Sequence, residues 1–334
     1  MNWENKIIRL FQSSGMIMLL FLSALYVSSV SAHDFEVDGI YYNIISGNTV
    51  EVTSNENNSG SYSGRVDIPS SVTYDKVTYS VTAIGDFAFA GGKQGLTSIT
   101  IPNTVITIGK YAFYTCYKLE HINFPSSVTK LGNYCFGSVG LKTVYVPKTI
   151  TSIGESVFSG SYLVSIVVDP KNTVYDSRSN CNGIIQKSNN YLIAACDSTI
   201  IPETTAGIGG WTFSGSGKKE INIPAKVSYI GGWAFNNCHQ LKKVVMNSKT
   251  PSMTFDNYIF TSNSSATIEP PVLVVPAGTK DAYAEKGWKS SADGGYFKEV
   301  VEAEPEISSG DINGDGTISI ADVTKLVNII LGKE

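Results

Sequence analysis

Ionic side chains are scarce in this chain: Asp, Glu, Lys and Arg make up 16% of its 334 residues, 25 basic against 29 acidic, for a formal net charge of −4. That balance leaves no chain-wide basic field to attract a phosphate backbone, so nucleic acid is not an expected partner. Histidine is scarcer, with His33, His121 and His239 at unrelated spacings. No Gly-x-Ser-x-Gly and no His-Glu-x-x-His occurs, and Gly91-Gly92-Lys93 lacks the upstream glycine of a phosphate loop. Without a nucleophile, base and orienting group in a known arrangement, the chain reads as a non-enzyme. What is plentiful is apolar and small: 42% hydrophobic residues with 31 Gly and 12 Pro, the composition of a folded, β-rich extracellular protein with a hydroxyl and amide surface.

Residues 1 to 32 carry Lys6 and Arg9, an apolar run from Met16 to Val27, and then Val30, Ser31 and Ala32. A basic start, a short apolar middle and small residues at the cut are the form of a secretory signal peptide. Cleavage removes Glu4, Lys6 and Arg9 and takes the net charge to −5. The run is too short for a membrane span, and no longer one follows, so no transmembrane span is expected after cleavage.

Five Cys lie in the mature part. Cys116 and Cys238 each fall three residues after a Phe and Cys135 immediately precedes Phe136, which predicts small buried core residues. Cys181 and Cys196 flank two strand-like runs, 183 to 187 and 191 to 195, joined by Ser188, Asn189 and Asn190. A hairpin centred on Asn189 would set them nearly opposite, and a disulfide is the expectation, with two free thiols as the alternative.

Self-similarity dominates the rest. Gly85, Ala88, Phe89, Leu96, Ile99, Ile101, Pro102, Val105 and Ile108 are followed by Gly109, Ala112, Phe113, Leu119, Ile122, Phe124, Pro125, Val128 and Leu131, and further copies begin at Gly132, Gly154, Gly209 and Gly231. The step between adjacent copies is 22 to 24 residues. A unit that short cannot bury enough apolar surface to offset its chain entropy, so the copies must stack into a solenoid. Ile-x-Ile-Pro has the period of a strand, with the outer pair inward and the proline as its stop. Glycine ahead of the aromatic predicts a tight bend, and Phe89, Phe113, Phe136, Phe158, Phe213 and Phe235 an interior spine. Lys218 occupies a Leu position in the fifth copy.

The pattern Gly-x-x-Ala-Phe, Leu-x-x-Ile-x-Ile-Pro, Val-x-x-Ile-Gly resembles the BspA-type leucine-rich repeat of bacterial surface proteins, and the stretch from Ser177 to Cys196 resembles an insert of that family. The resemblance implies a mainly β leucine-rich-repeat solenoid of stacked short parallel strands over residues 84 to 250, with a hairpin insert at about 169 to 200. It also implies a secreted or surface-displayed adhesin-like protein that recognises an extracellular protein or glycan. Caps are needed at both ends, and residues 33 to 83 and 251 to 301 are assigned to them.

After a polar linker at 302 to 310, the last 24 residues carry Asp311, Asn313, Asp315, Gly316, Thr317, Ser319 and Asp322. Oxygen ligands at loop positions 1, 3, 5, 7, 9 and 12, with Gly at 6, are the spacing that wraps Ca2+, Thr317 acting through its carbonyl. Ile318 is expected to pack inward, and Val323, Leu326, Val327 and Ile330 follow helical spacing. The segment, 311 to 334, resembles one half of a dockerin, with Ile320 and Ala321 where cellulosomal dockerins often carry Ser-Thr. That implies a small helical calcium-loop tail and a cohesin-like or self partner. It opens a second functional reading, a non-catalytic component of an extracellular polysaccharide-degrading assembly. A metal-free acidic turn is the other possibility for the loop.

For the solenoid, strand register places Thr100, Asn123, Tyr145, Val167, Asn222 and Val245 outward. From these and their neighbours we take His121, Asn123, Lys142, Tyr145, Asn222 and Lys242 as the candidate binding face, with Tyr145 beside Lys142 as the anchor.

Overall fold

A computed structural model describes residues 33–55, 62–91, 95–251, 254–255, 259–260, 269–304, 310, 312–313 and 317–333. The signal segment, 1 to 32, lies outside the described residues. Among the described residues no helix is long and apolar enough to cross a membrane.

Most copies contribute two parallel rungs joined by two turns; in the second copy the Ile-x-Phe-Pro segment follows the same course without ladder pairing. The Ile-x-Ile-Pro rung pairs in register with its neighbour, Thr143–Val146 with Ser165–Val168, Glu220–Ile223 with Lys243–Met246, and the latter with Val272–Val275. After the proline the chain turns tightly: the Val105 amide donates to the Pro102 carbonyl, Val128 to Pro125 and Val227 to Pro224, each at 3.1 Å. A second, two-residue rung precedes each glycine, and Thr107–Ile108, Lys130–Leu131 and Ser152–Ile153 stack in parallel on Val77–Ile84.

The phenylalanine spine is present, in two runs. Phe89, Phe113, Phe136 and Phe158 stack successively at 5.0, 5.1 and 5.8 Å between ring centres, and Phe213, Phe235 and Phe260 at 5.5 and 5.1 Å. All are buried. Such pairs contribute about 0.5–1.5 kcal/mol each beyond the area they bury. A donor three residues after the Phe closes onto the preceding copy: Cys116 Sγ on the Phe89 carbonyl at 3.1 Å, Ser161 Oγ on Phe136 at 2.8 Å, Cys238 Sγ on Phe213 at 3.1 Å.

The repeat starts earlier and ends later than 84 to 250. Gly64–Asp67 pairs in parallel with Leu96–Thr100, so Val66-Asp67-Ile68-Pro69, inside the expected N-terminal cap, is itself a rung. The antiparallel meander of Phe35–Val37, Ile40–Ser46 and Thr49–Thr53 does the capping. At the other end Val272–Val275 and Val300–Glu302 extend the ladder, and buried Tyr283, Trp288 and Phe297 close it. Lys218, at its Leu position, is accommodated by Asp197, whose carbonyl accepts from Lys218 Nζ at 2.7 Å while its carboxylate takes the Gly217 amide and the Ser216 hydroxyl.

The insert folds as Tyr175–Asp176, Gly183–Gln186 and Tyr191–Ala195, and its last strand doubles as a rung, parallel to Gly207–Ile208. It separates two apolar cores: Ile184, Ala194 and Cys196 face the N-terminal one, Cys181, Ile185 and Leu192 the C-terminal one. That arrangement overturns the expected disulfide, because Cys181 and Cys196 are free thiols facing different cores. Near the hairpin tip, Ile185 opposes Leu192, a register that would bring Cys181 opposite Cys196. The ladder then slips, Ile184 opposing Ala194 and Gly183 opposing Ala195, with Ile193 as the extra residue. One residue of slip sends a side chain to the other face. Cys116, Cys135 and Cys238 are buried thiols outside any disulfide, as the core reading requires.

At Gly109, Gly132, Gly154 and Gly231 the glycine ahead of the aromatic serves close approach to the backbone of the preceding copy and not a bend. A Cβ on Gly109 would lie 2.6 Å from the Gly85 carbonyl carbon, and one on Gly231 2.5 Å from the Gly210 nitrogen. Only glycine lets successive turns stack this tightly.

Candidate functional site

Three surfaces are available, and each grows from the repeat. The first is the outer side of the Ile-x-Ile-Pro rungs, where alternation sends every second side chain to solvent. Tyr145 and Val167 are direct register partners and 54% and 44% exposed. Partial desolvation first, and then the neighbouring Asp169 carboxylate, raise the Tyr145 phenol, while Asp169 is held below its ordinary value chiefly by the Lys171 amide, which donates to it at 2.8 Å. Lys142 Nζ stands 5.5 Å from the centre of the Tyr162 ring, a cation–π contact. Tyr162, 67% exposed, and exposed Val164 enlarge this patch. Sequence reasoning passed over both because they precede the strand and have no place in its alternation.

The remaining predicted face residues are divided by the fold. His121 and Asn123 are exposed, in a copy whose Ile-x-Phe-Pro segment forms no ladder strand. Asn222 and Lys242 belong to a separate ladder beyond the insert, where Asn222 opposes Val245. Lys242 is drawn to Glu269 at 3.3 Å, and Glu269 also takes Lys298 at 2.7 Å. Exposed pairs of this kind add little to stability. Tyr145 and Lys142 therefore belong to one rung and its lead-in, with Lys142 set against Tyr162, and do not join Asn222 and Lys242 in one continuous ladder.

The second surface is the tail. Asp311 and Asp315 lie outside the described residues; Asn313, Thr317, Ser319 and Asp322 are described. Asp322 is buried, and its carboxylate accepts from the Asn313 amide at 3.1 Å and the Ser319 amide at 2.6 Å. Those backbone bonds, Asn313 first, hold Asp322 below the usual carboxylate value. Ser319 caps the helix Ile320–Ile330 in a capping box with Asp322. The donor set suits a hard cation: an ionised carboxylate at loop position 12 already folded back onto position 3, with hydroxyl and amide oxygens at 9 and 3. Ile318, expected inward, is 68% exposed. Val323, Leu326, Val327 and Ile330 are exposed too, so the helix's apolar side stays uncovered among the described residues.

The third surface escaped sequence reasoning. Two residues after the repeat glycine stand Phe87, Tyr111, Tyr134, Ser156, Trp211 and Trp233, all in the left-handed region with φ between 55° and 61°. Their amides bond the next copy, Tyr111 to the Asn133 carbonyl and Tyr134 to Glu155, each at 2.9 Å. The rings form an outer ladder: Phe87 on Tyr111 at 4.9 Å, Tyr111 on Tyr134 at 5.0 Å, Trp211 on Trp233 at 5.3 Å. An L residue in this region gives up roughly 1–2 kcal/mol, about what one ring stack returns. The signal was visible as an aromatic two places after each glycine, at every copy but the fourth.

A family model for the BspA type leucine rich repeat region matches the chain in six copies, over residues 68–185 and 183–274. Among solved structures the chain is similar to the pneumococcal vaccine antigen PcpA, at 13% identity over 81% of this chain and 98% of that one, TM-score 0.42. It is similar to a leucine-rich repeat protein from Bacteroides ovatus, at 20% identity over 82% and 89%, TM-score 0.38. A leucine-rich repeat protein from Bacteroides capillosus is 27% identical over 40% of this chain and 97% of that one, TM-score 0.36. No curated protein matches the chain. With the repeat model spanning well over half of its residues, and parallel rungs, proline turns and a phenylalanine spine in the places that repeat requires, the chain belongs to the BspA-type leucine-rich-repeat family.

Proposed function

We propose that the protein is exported and acts as a secreted or cell-surface binding protein, adhesin-like, that recognises an extracellular protein or glycan through the outer side of its rungs. The observation that carries this reading is the exposed pair Tyr145 and Val167 on a hydrogen-bonded ladder, with exposed Tyr162 and Val164 in the segment leading into it and Lys142 over the Tyr162 ring. Exposed aromatics on a rigid support lose little entropy on binding, and the neighbouring Lys142 and Asp169 add polarity at the rim. Export rests on the signal-like first 32 residues, and family membership agrees with a non-catalytic binding role. The step from repeat to recognition is one of site and not of fold. It is tested by presenting the immobilised chain to purified host matrix proteins and to the producing cell's secretome, with Tyr145→Ala/Tyr162→Ala alongside. A ligand retained equally by the variant ends this reading.

A second reading is favoured by the tail. Asp311, Asn313, Asp315, Thr317, Ser319 and Asp322 would hold Ca2+, and the exposed apolar side of Ile320–Ile330 would meet a cohesin-like partner or a second copy of the tail. Under it, the solenoid is the cargo of an extracellular polysaccharide-degrading assembly. Deleting residues 311 to 334 separates the two readings, leaving adhesion intact under the first and abolishing retention in the complex under the second.

A further inference from the structure

The aromatic ladder is interrupted at one rung, and a cleft opens there. In the fourth copy the ring position is Ser156, and Trp211 leans across the vacancy to meet Tyr134 edge-on, 5.9 Å away at 74°. Beside it lies a cavity of about 370 Å³, within the range of small-molecule sites. Gly209, Gly210 and Gly232 line it without a side chain, which leaves room for a ligand. Trp211, Trp233 and Tyr229 bring rings to its lining, and Glu155, Ser156 and Gln186 polar groups. The hairpin insert makes the cleft possible, because Gln186 and Ile193, the bulged residue, come from it.

We propose that this cleft binds a neutral saccharide, one to two hexose units of an oligosaccharide. The lining has one charged side chain, the exposed Glu155, and no Lys or Arg, so it suits neither phosphate nor an anionic sugar. Indole and phenol rings match the apolar C–H face of a pyranose. The carboxylate of Glu155, the amide of Gln186 and the hydroxyl of Ser156 match its ring of hydroxyls. Ser156 Oγ is buried without a hydrogen-bond partner of good geometry, although near enough to the Tyr134 phenol to influence its ionisation. A sugar hydroxyl would complete it. The site is separate from the Tyr145 patch and adds to the reading above without depending on it.

The test uses the full chain and a panel of neutral hexaoses, gluco-, manno- and xylo-configured, with hexagalacturonate as the anionic contrast, read by calorimetry and by tryptophan fluorescence. At least one neutral oligosaccharide is expected to bind, with hexagalacturonate silent at the same concentration. Trp233→Ala is expected to weaken binding at least tenfold. Ser156→Tyr restores the missing ring at a backbone position shared with Tyr111 and Tyr134; it is expected to abolish binding while the melting temperature is kept. Tyr145→Ala leaves sugar binding unchanged, so loss of the rung-face ligand and loss of the sugar are told apart. Silence across the neutral panel up to ~10 mM, equal binding of the anionic sugar, or affinity that survives both Trp233→Ala and Ser156→Tyr overturns the proposal.

Discussion

A Cβ built on Gly132 would lie 2.6 Å from the carbonyl carbon of Gly109, one copy earlier in the stack. The two turns touch backbone to backbone, and the same contact recurs from Gly85 to Gly109 and from Gly132 to Gly154. This close approach sets the ring spacing of both aromatic columns, the buried spine and the outer ladder.

Gly132→Ala must therefore pry two copies apart. It is expected to cost about 1–3 kcal/mol or more, the range of overpacking in a dense interior. Gly209→Ala, where the nearest atom is the movable Thr212 hydroxyl at 3.3 Å, is expected to cost less. Denaturant melts of the two variants give the comparison; equal loss would mean that the turns are not held by this contact.

Removing a spine ring should be far more damaging than removing a surface ring. Phe113, fully buried between Phe89 and Phe136, is expected to lose about 3–5 kcal/mol as Phe113→Ala. Tyr145→Ala, on the outer side, is expected within about 0.5 kcal/mol of the parent. Thermal unfolding of both variants checks this.

The five cysteines are expected to be outside any disulfide: one mass before and after reduction, no labelling by a thiol reagent in the native state at pH 8, and five labels after denaturation. Burial pushes the Cys238 thiol up to about 12 and Cys135 well above the ordinary thiol value. A thiol kept neutral by folding stabilises fully below its unfolded value, about 8.5, and that contribution drains away as pH rises from there toward about 12. Stability measured between pH 8 and 11 should fall accordingly.

In the tail, the depressed Asp322 carboxylate works in the opposite direction. Its contribution is present above the ordinary carboxylate range and is lost as pH falls through its lowered value. Amide exchange in Ile320–Ile330 is expected to accelerate on acidification, to slow on adding calcium at pH 7, and to lose both responses in Asp322→Ala. Exchange indifferent to calcium up to millimolar concentration would remove the metal from the account.

Much of the fold could be read from the chain because Ile-x-Ile-Pro carries its own direction, period and stop. The outward positions Tyr145 and Asn222 follow from strand alternation, and the inward positions Phe113, Leu119 and Val128 from their recurrence copy after copy. The cysteine pairing could not be read, because the bulge at Ile193 has no composition signature of its own and reverses the face of everything beyond it. Val66-Asp67-Ile68-Pro69 was legible as a rung but lay next to the antiparallel hairpin of Ser71–Tyr74 and Val77–Ile84, which reads as a cap. The outer ladder was hidden because its rings sit in turns at positive φ, where neither helical nor strand periodicity applies. Of the candidate face, Tyr145 was legible; Tyr162 was not, since loops have no register.

Recognition would be carried by the exposed side chains of the Tyr145 patch. Its most direct measurement is the affinity of the full chain for purified collagen, laminin and fibronectin, before and after Tyr145→Ala/Tyr162→Ala. Capture of at least one of them is expected, with at least a tenfold loss in the double variant and an unchanged melting temperature. Parent and variant binding alike, or neither binding, would contradict it.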